Sequence, residues 1–200
     1  MPYGWYVAGS GFNVMSGIDK IVTNTGSLFN IDASVYGLWR GNTYDAGAAP
    51  LTMTKLGNAC VKALVKGGRG KVTAYVSPWA WSDINNDTAG LRRFVDSTRS
   101  EVELGTQRLK FYGPSGEITL TAHINVKAGE AFVLQTDRWE RVGSSEPVFG
   151  YPDGSGDRKF LNMLPNNNGY EFRCLWDQAM LCRAPARQVK ITNITNSSGP

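Results

Sequence analysis

His123 is the only histidine in the chain, and imidazole is the side chain that most readily moves protons near neutral pH. It lies in Glu117–Val126, where Ile118, Leu120, Ala122, Ile124 and Val126 alternate with Thr119, Thr121, His123 and Asn125. Side chains of a strand point alternately to its two faces, so this spacing predicts one buried and one wet face. His123 falls on the wet face, as a surface strand residue. A Ser-His-acid hydrolase also needs an activated serine, and no Gly-x-Ser-x-Gly elbow occurs. Gly9-Ser10-Gly11 and Gly154-Ser155-Gly156 lack a strand-to-helix setting. A hydrolase using His123 is therefore a minor alternative, and no catalytic residue is expected.

Other groupings with chemical potential resolve the same way. Asp153-Gly154-Ser155-Gly156-Asp157 has a loose likeness to a calcium loop, but the next acid after Asp157 is Glu171, so no closing carboxylate falls in place. Lys66-Gly67-Gly68-Arg69-Gly70-Lys71 is basic and glycine-rich, yet it follows a helical pattern instead of opening one. The helix N-terminus that would hold a phosphate is missing there. Cys60, Cys174 and Cys182 are the three cysteines, with no Cys-x-x-Cys. That pattern writes neither a disulfide framework nor a zinc site. Their apolar neighbours predict buried reduced thiols, as in a reducing cytoplasm. No metal or cofactor is expected. Of six tryptophans, Trp39, Trp79, Trp81, Trp139 and Trp176 sit near element boundaries among apolar residues. Packing or subunit contact is their expected use. A binding module of tail or decoration type, recognising glycan through Trp79 and Trp81 or another virion protein, is the alternative.

The elements that must carry these residues are legible in part. Residues 1–34 read as loop or arm, with a short helix over Ser16–Thr23 that places Ile18, Ile21 and Val22 on one face. Tyr36, Trp39, Arg40 and Tyr44 follow, and Gly47-Ala48-Ala49-Pro50 breaks the chain. Leu56, Ala59, Cys60, Ala63 and Leu64 recur at spacings of three and four, which predicts a helix capped by Thr52 or Thr54 and ended by Gly67-Gly68. Lys71–Val76 reads as a strand. Ser77-Pro78 starts a helix with a capping hydroxyl and a proline at its first position. Asn85-Asn86-Asp87 is expected to interrupt that helix, with another helical turn over Thr88–Val95 and a surface loop over Ser97–Gly105. Arg108–Tyr112, the turn Gly113–Gly116, the strand 117–126, the turn Lys127–Glu130 and Ala131–Gln135 predict a three-strand meander. Arg138–Val142 is ambiguous, and Gln188–Ile194 is a last strand. Residues 150–169 form a long polar loop, and such loops are more often functional or interfacial than inert.

Composition allows one sizeable domain, since the hydrophobic fraction of 42% supplies a core. The net charge of +4 is mild, and basic residues adjoin only in the pairs Arg92-Arg93 and Arg158-Lys159, so solvated charge explains it better than a nucleic-acid site. No apolar stretch approaches the roughly 20 residues that cross a membrane. Met1-Pro2-Tyr3-Gly4 shows no leader pattern. The sequons at Asn86, Asn193 and Asn196 are therefore expected to carry no glycan.

The order of segments resembles that of tailed-phage major capsid proteins. The likeness is carried by Asn30-Ile31-Asp32, Leu38–Tyr44 and Leu51-Thr52 opening a helix. Tyr75-Val76-Ser77-Pro78 with Trp81 is similar to the strand-Pro-helix segment of their axial domain. Leu109–Tyr112, Gly116-Glu117-Ile118, His123 and Lys127–Ala131 resemble the hairpin after it. Arg141-Val142-Gly143, Gly169–Arg173 and Ala184-Pro185-Ala186 continue the match, which spans Gly17 to Ile194. The resemblance implies the fold typified by phage Hong Kong 97, an α+β architecture with a mixed or antiparallel sheet flanked by helices. It implies an N-terminal segment over 1–44 from the peripheral domain, an axial domain over 45–186, and a peripheral strand and tail over 187–200. The family's N-terminal arm, extended hairpin and spine helix find no counterpart here. It also implies a structural, non-enzymatic subunit that forms pentamers and hexamers of an icosahedral shell. DNA would lie nearby without specific contacts, no membrane would be involved, and the location would be the virion after folding in the host bacterial cytoplasm. Asp153, Asp157, Arg158, Asn166, Asn167 and Asn168 of the long loop are the candidate subunit contacts.

Overall fold

A computed structural model of the protein describes residues 16–88, 109–114, 116–143, 148–149, 162–163, 168–171, 174–175, 178–197 and 199. In chain order the first elements are helix α1 (Ile18–Val22), strands β1 (Ser27–Leu28) and β2 (Ile31–Asp32), a 3-10 turn (Gly37–Trp39), β3 (Asn42–Ala49), α2 (Met53–Val65), β4 (Val72–Val76) and α3 (Pro78–Thr88). Then come β5 (Leu109–Gly113), β6 (Gly116–Ala122), β7 (Ala131–Leu134), a 3-10 turn (Thr136–Arg138), β8 (Trp139–Gly143), β9 (Val148–Phe149), β10 (Asn162–Met163), β11 (Tyr170–Glu171), β12 (Cys174–Leu175), β13 (Gln178–Cys182), a 3-10 turn (Pro185–Arg187) and β14 (Val189–Ile194). The chain divides into two compact units, Met1–Trp139 with Cys182–Pro200, and Glu140–Leu181. In the smaller unit β9 pairs with β12 and β10 with β11, both antiparallel.

The larger unit is built on a six-stranded mixed sheet of order β3-β14-β7-β4-β6-β5. β14 runs parallel to β3 and β4 parallel to β6, while β7 is antiparallel to both its neighbours. On one face, Val72, Ala74, Val76, Ile118, Leu120, Val133, Val189 and Ile191 form a single core with Leu56, Ala59, Cys60 and Ala63 of α2 and Ala80 and Ile84 of α3. Each fully buried Leu, Ile or Val contributes about 1.5–3 kcal/mol from removal of apolar surface from water. On the other face, Phe132 and Leu134 pack with Val22, Val126, Ile18, Tyr75 and Trp139. The architecture is α+β, a mixed sheet flanked by helices, as expected.

Local chemistry explains the helices. The Thr52 hydroxyl accepts from the Lys55 amide at 3.3 Å and caps α2. At its far end Gly67 adopts φ +85°, and the amides of Gly67 and Gly68 reach back to the carbonyls of Leu64 and Ala63 at 2.9 and 2.8 Å. This paired closure needs a left-handed residue, which glycine supplies without strain. A Cβ on Gly68 would sit 2.8 Å from the Ala63 carbonyl oxygen. The Ser77 hydroxyl accepts from the Ala80 amide at 3.2 Å, with Pro78 first in α3. α3 runs unbroken through Asn85-Asn86-Asp87 to Thr88, against expectation. Burial of Ile84, with Asp83 accepting from the Ser197 amide at 3.0 Å, outweighs the weak helix preference of asparagine.

Other expectations fail in instructive ways. The segments 108–112, 117–126 and 131–135 do not form a meander, because β4 inserts between β6 and β7. Turn signals predict that the chain reverses, not which strand becomes its neighbour. β6 ends at Ala122 instead of Val126. The His123 amide still bonds to the Val76 carbonyl at 2.8 Å, but the Val126 amide then folds back onto the His123 carbonyl at 3.1 Å. This turn breaks the alternation: Ile124 is 85% exposed and Val126 drops onto the second face. The β5–β6 hairpin is tighter than a four-residue connection, since Gly113 pairs with Gly116. β3 does not read as a strand in the sequence. It passes through Gly47 and Ala48 at φ +72° and +49°, and the Asp45 carboxylate holds that bulge by accepting from the Gly47 amide at 2.8 Å and from Asn193 at 2.9 Å. The strand Val189–Ile194, which the resemblance places in a peripheral domain, pairs here with β3 and β7 inside the main sheet.

Two polar devices tie the sheet together. At one end, Gln188 accepts from the Gln135 amide at 2.8 Å and donates to Ala184, Asn42 donates to Ala186 and Gln188 carbonyls at 2.6 and 3.2 Å, and Gln135 donates to Arg69 at 2.7 Å. All three amide residues are buried. On the second face, the Lys190 ammonium donates to Asp19 at 2.7 Å and Glu130 at 2.8 Å and lies 5.7 Å from the Phe132 ring centre. Burial works against this ammonium, but the hydrogen bonds and attraction of Asp19 and Glu130 prevail and raise its pKa above 10.5. Gln188→Leu leaves the buried Gln135 amide without its acceptor and is expected to cost about 1–3 kcal/mol in urea unfolding. Because the native Lys190 pKa is the higher one, its contribution is complete below pH 10.5 and is lost as pH rises through the native value. The Lys190→Met variant should lack that part of the alkaline loss when unfolding is followed against pH.

Candidate functional site

Among the described residues no group of three or more His, Cys, Asp and Glu side chains could hold a metal. His123 caps its own turn: Nδ1 accepts from the Asn125 amide at 3.2 Å, and the ring stands edge-on to Tyr75 at 6.4 Å. That bond engages the Nδ1 lone pair in the local turn. Cys60 and Cys182 are buried, and burial pushes the Cys182 thiol up to about 11. Such a thiol stays protonated and inert. The side chain of Cys174 lies outside the described residues.

The tryptophans divide between core and surface. Trp81 packs on the main core and Trp139 on the second cluster. The Trp39 indole donates to the Leu28 carbonyl at 3.1 Å. Trp79 is 42% exposed, and Gly199 lies so close to its ring that a Cβ there would come within 2.6 Å. Trp79 and Trp81 therefore do not form a joint stacking platform. Trp176 is outside the described residues. Of the long-loop candidates, Asp153, Asp157, Arg158, Asn166 and Asn167 also lie outside them, and Asn168 is exposed just before β11.

The surface feature that stands out was missed by periodicity. Phe29, Ile31, Val35, Tyr36 and Leu38 are all exposed, Val35 and Leu38 at 70%. They sit on a segment that is locally well held. β1 and β2 pair as Leu28 to Ile31 and Ser27 to Asp32. The Ala33 amide bonds to Gly26 at 3.0 Å and the Tyr36 amide to Asp32 at 2.9 Å. The Asp32 carboxylate accepts from the Ser34 amide at 2.8 Å, a bond that lowers its pKa. The hairpin tip places Phe29 and Asn30 at φ +52° and +63°. This hand suits a two-residue hairpin, but for phenylalanine it costs roughly 1–2 kcal/mol. The signal available in the sequence was a cluster of large apolar residues with neither helical nor strand period.

Beside this segment a groove runs to the end of α2, lined by Leu38, Arg40, Thr43, Lys62 and Lys66 among others, and by no acidic side chain among the described residues. Lys62 donates to the Thr43 carbonyl at 2.8 Å and lies 5.3 Å from the Tyr44 ring centre. Arg40 and Lys66 are exposed at its rim. Gly41 lets the chain pass α1 there, because a Cβ would overlap the Val22 carbonyl. Among the described residues its lining combines cations with apolar groups.

No protein-family model matches the chain, and no curated protein matches it. Among solved structures, the cyanophage A-1(L) capsid asymmetric unit is similar in fold, with a TM-score of 0.61 at 15% identity. The similarity covers 98% of this chain and 64% of that one, so this chain spans less than two thirds of the neighbour's length. The protein thus has a phage capsid-like fold.

Large exposed apolar groups in a well-held segment mark an interaction surface and not a packing defect. Tyr36→Ser with Leu38→Ser should change unfolding free energy by no more than about 0.5 kcal/mol, while self-association measured by light scattering falls. A clear loss of stability with association unchanged would place these side chains in a structural role instead.

Proposed function

We propose that this chain is a structural capsid subunit of a tailed bacteriophage or prophage, which assembles with copies of itself into the capsomers of an icosahedral head around DNA. One observation carries the reading: the fold matches a cyanophage capsid asymmetric unit over 98% of this chain. The exposed apolar segment 29–38 supports it, because a shell subunit must keep such surface for its neighbours. In this reading the fold is of the Hong Kong 97 type. The axial domain is drawn from residues 45–186, with 1–44 and 187–200 as peripheral parts. Since β14 pairs within the main sheet, the axial domain proposed here also takes in Val189–Ile194.

The subunit works by burying surface and performs no catalytic step. The virion is its place, after folding in the host cytoplasm, and packaged DNA lies near it without base-specific contact. The segment 150–169, with Asp153, Asp157, Arg158, Asn166, Asn167 and Asn168, is proposed as a capsomer contact on the polarity of its sequence; the short strand β10 (Asn162–Met163) interrupts the single long loop expected there. Electron microscopy of the purified protein tests the reading. Rings or shells are the expected result, and uniform monomers across the accessible concentration range would overturn it.

A further inference from the structure

The groove beside β3 gathers cations from separate stretches of the chain. Arg40 comes from the turn before β3, and Lys62 and Lys66 from the last turn and cap of α2. The Arg187 guanidinium stands over the same end of α2, 3.7 Å from where a Cβ of Gly67 would lie. None of Arg40, Lys66 and Arg187 has an ion pair among the described residues, whereas Lys71 and Lys110 pair with Glu117, and Lys190 with Asp19 and Glu130. Asp32 and Asp45 flank the segment in sequence but do not line the groove, and each carboxylate already accepts from a backbone amide. A favourable place at a helix end accounts for Lys62 and Lys66, but not for Arg40. That helix end carries only about half a negative charge, so positive charge prevails in the groove.

The lining decides what kind of anion fits. Lys62 and Lys66 lie one helical turn apart, about 6 Å along the axis, so the charges form a row that suits a polyanion better than a single carboxylate. An acidic peptide laid along β3 would draw its affinity from a backbone ladder. That ladder is obstructed here by Lys62 on the Thr43 carbonyl and by the bulge at Gly47 and Ala48. A single nucleic-acid strand would need aromatic faces for its bases, and no aromatic side chain lines the groove among the described residues. Contacts to the phosphates of a duplex need only cations. We propose that the Arg40–Lys62–Lys66 groove, with Arg187 at its end, binds the phosphate backbone of double-stranded DNA without reading its bases. The choice of DNA as the polyanion rests on the capsid reading above, which places DNA beside the chain. In such a shell the groove faces the enclosed duplex.

Titration of the full chain into a labelled duplex across a range of salt concentrations tests it. Three to four phosphate contacts should give a slope of about −3 in log affinity against log salt. Arg40→Gln with Lys66→Gln should make that slope shallower by about 2 and weaken binding alike for unrelated duplex sequences. Lys62 is left intact because it also holds the Thr43 carbonyl. Lys110→Gln with Lys127→Gln removes equal charge from the opposite edge strand and from the turn between β6 and β7, and should leave binding and slope unchanged. Absence of duplex binding, an equal effect of the two pairs, or equally tight binding of polyglutamate of matched charge overturns the inference and leaves the capsid reading standing. Uniform monomers in electron microscopy, with the expected slopes, overturn the capsid reading alone. Should a substitution destabilise the fold, acetylation of the wild type decides. Bound duplex shields Lys66 if the inference holds, and Lys66 reacting as fast with duplex present as without it overturns it.

Discussion

β7 has no wet face. Ala131, Phe132, Val133 and Leu134 are all buried, with β14 on one side and β4 on the other. A strand buried on both faces needs cover above and below, and the remaining elements of the larger unit are arranged to provide it. α2 packs over β3 and β14, and α3 over β4 and β6, on the face that carries Val133. α1, Val126 and Trp139 cover the face that carries Phe132 and Leu134. The small side chains of α2, Ala59, Cys60 and Ala63, let that helix approach the sheet closely.

Covering both faces creates polar problems that specific side chains solve. The first is Lys190, which points into the second face and would be costly there alone. Asp19 from α1 and Glu130 from the turn before β7 supply its partners. A partly buried cluster of this kind adds little net stability compared with apolar side chains. Its use here is positional, since α1 can satisfy Lys190 in one docking geometry. The second is the end of the sheet where β3, β7 and β14 meet without a regular ladder. There the side chains of Asn42, Gln135 and Gln188 act as extra backbone amides and join strands far apart in sequence.

Burial and exposure are separated in this molecule. The buried centre lies between α1 and the pair α2 and α3, while the exposed apolar segment and the cationic groove lie at the β3 edge. That edge is guarded against indiscriminate strand pairing by the bulge at Gly47 and Ala48 and by Lys62 over the Thr43 carbonyl. The strained tip at Phe29 fits the same division, because it presents an apolar ring outward at a local cost.

The sequence by itself determined α2 with a cap at Thr52 or Thr54 and its Gly67-Gly68 closure, the Ser77-Pro78 start of α3, and strands over Lys71–Val76 and Gln188–Ile194. Those features depend on interactions within a few residues, which spacing and residue type record. It also pointed to an α+β sheet flanked by helices. The tertiary structure alone decided that β4 lies between β6 and β7, that β3 joins the sheet beside β14, and that Ile124 faces water while Val126 is buried. It alone showed that Phe29, Ile31, Val35, Tyr36 and Leu38 stay outside the core, on a segment beside three cations. The reason is physical: which strand lies alongside another, and which apolar group finds no cover, are settled by partners distant in the chain, and no local pattern carries that energy.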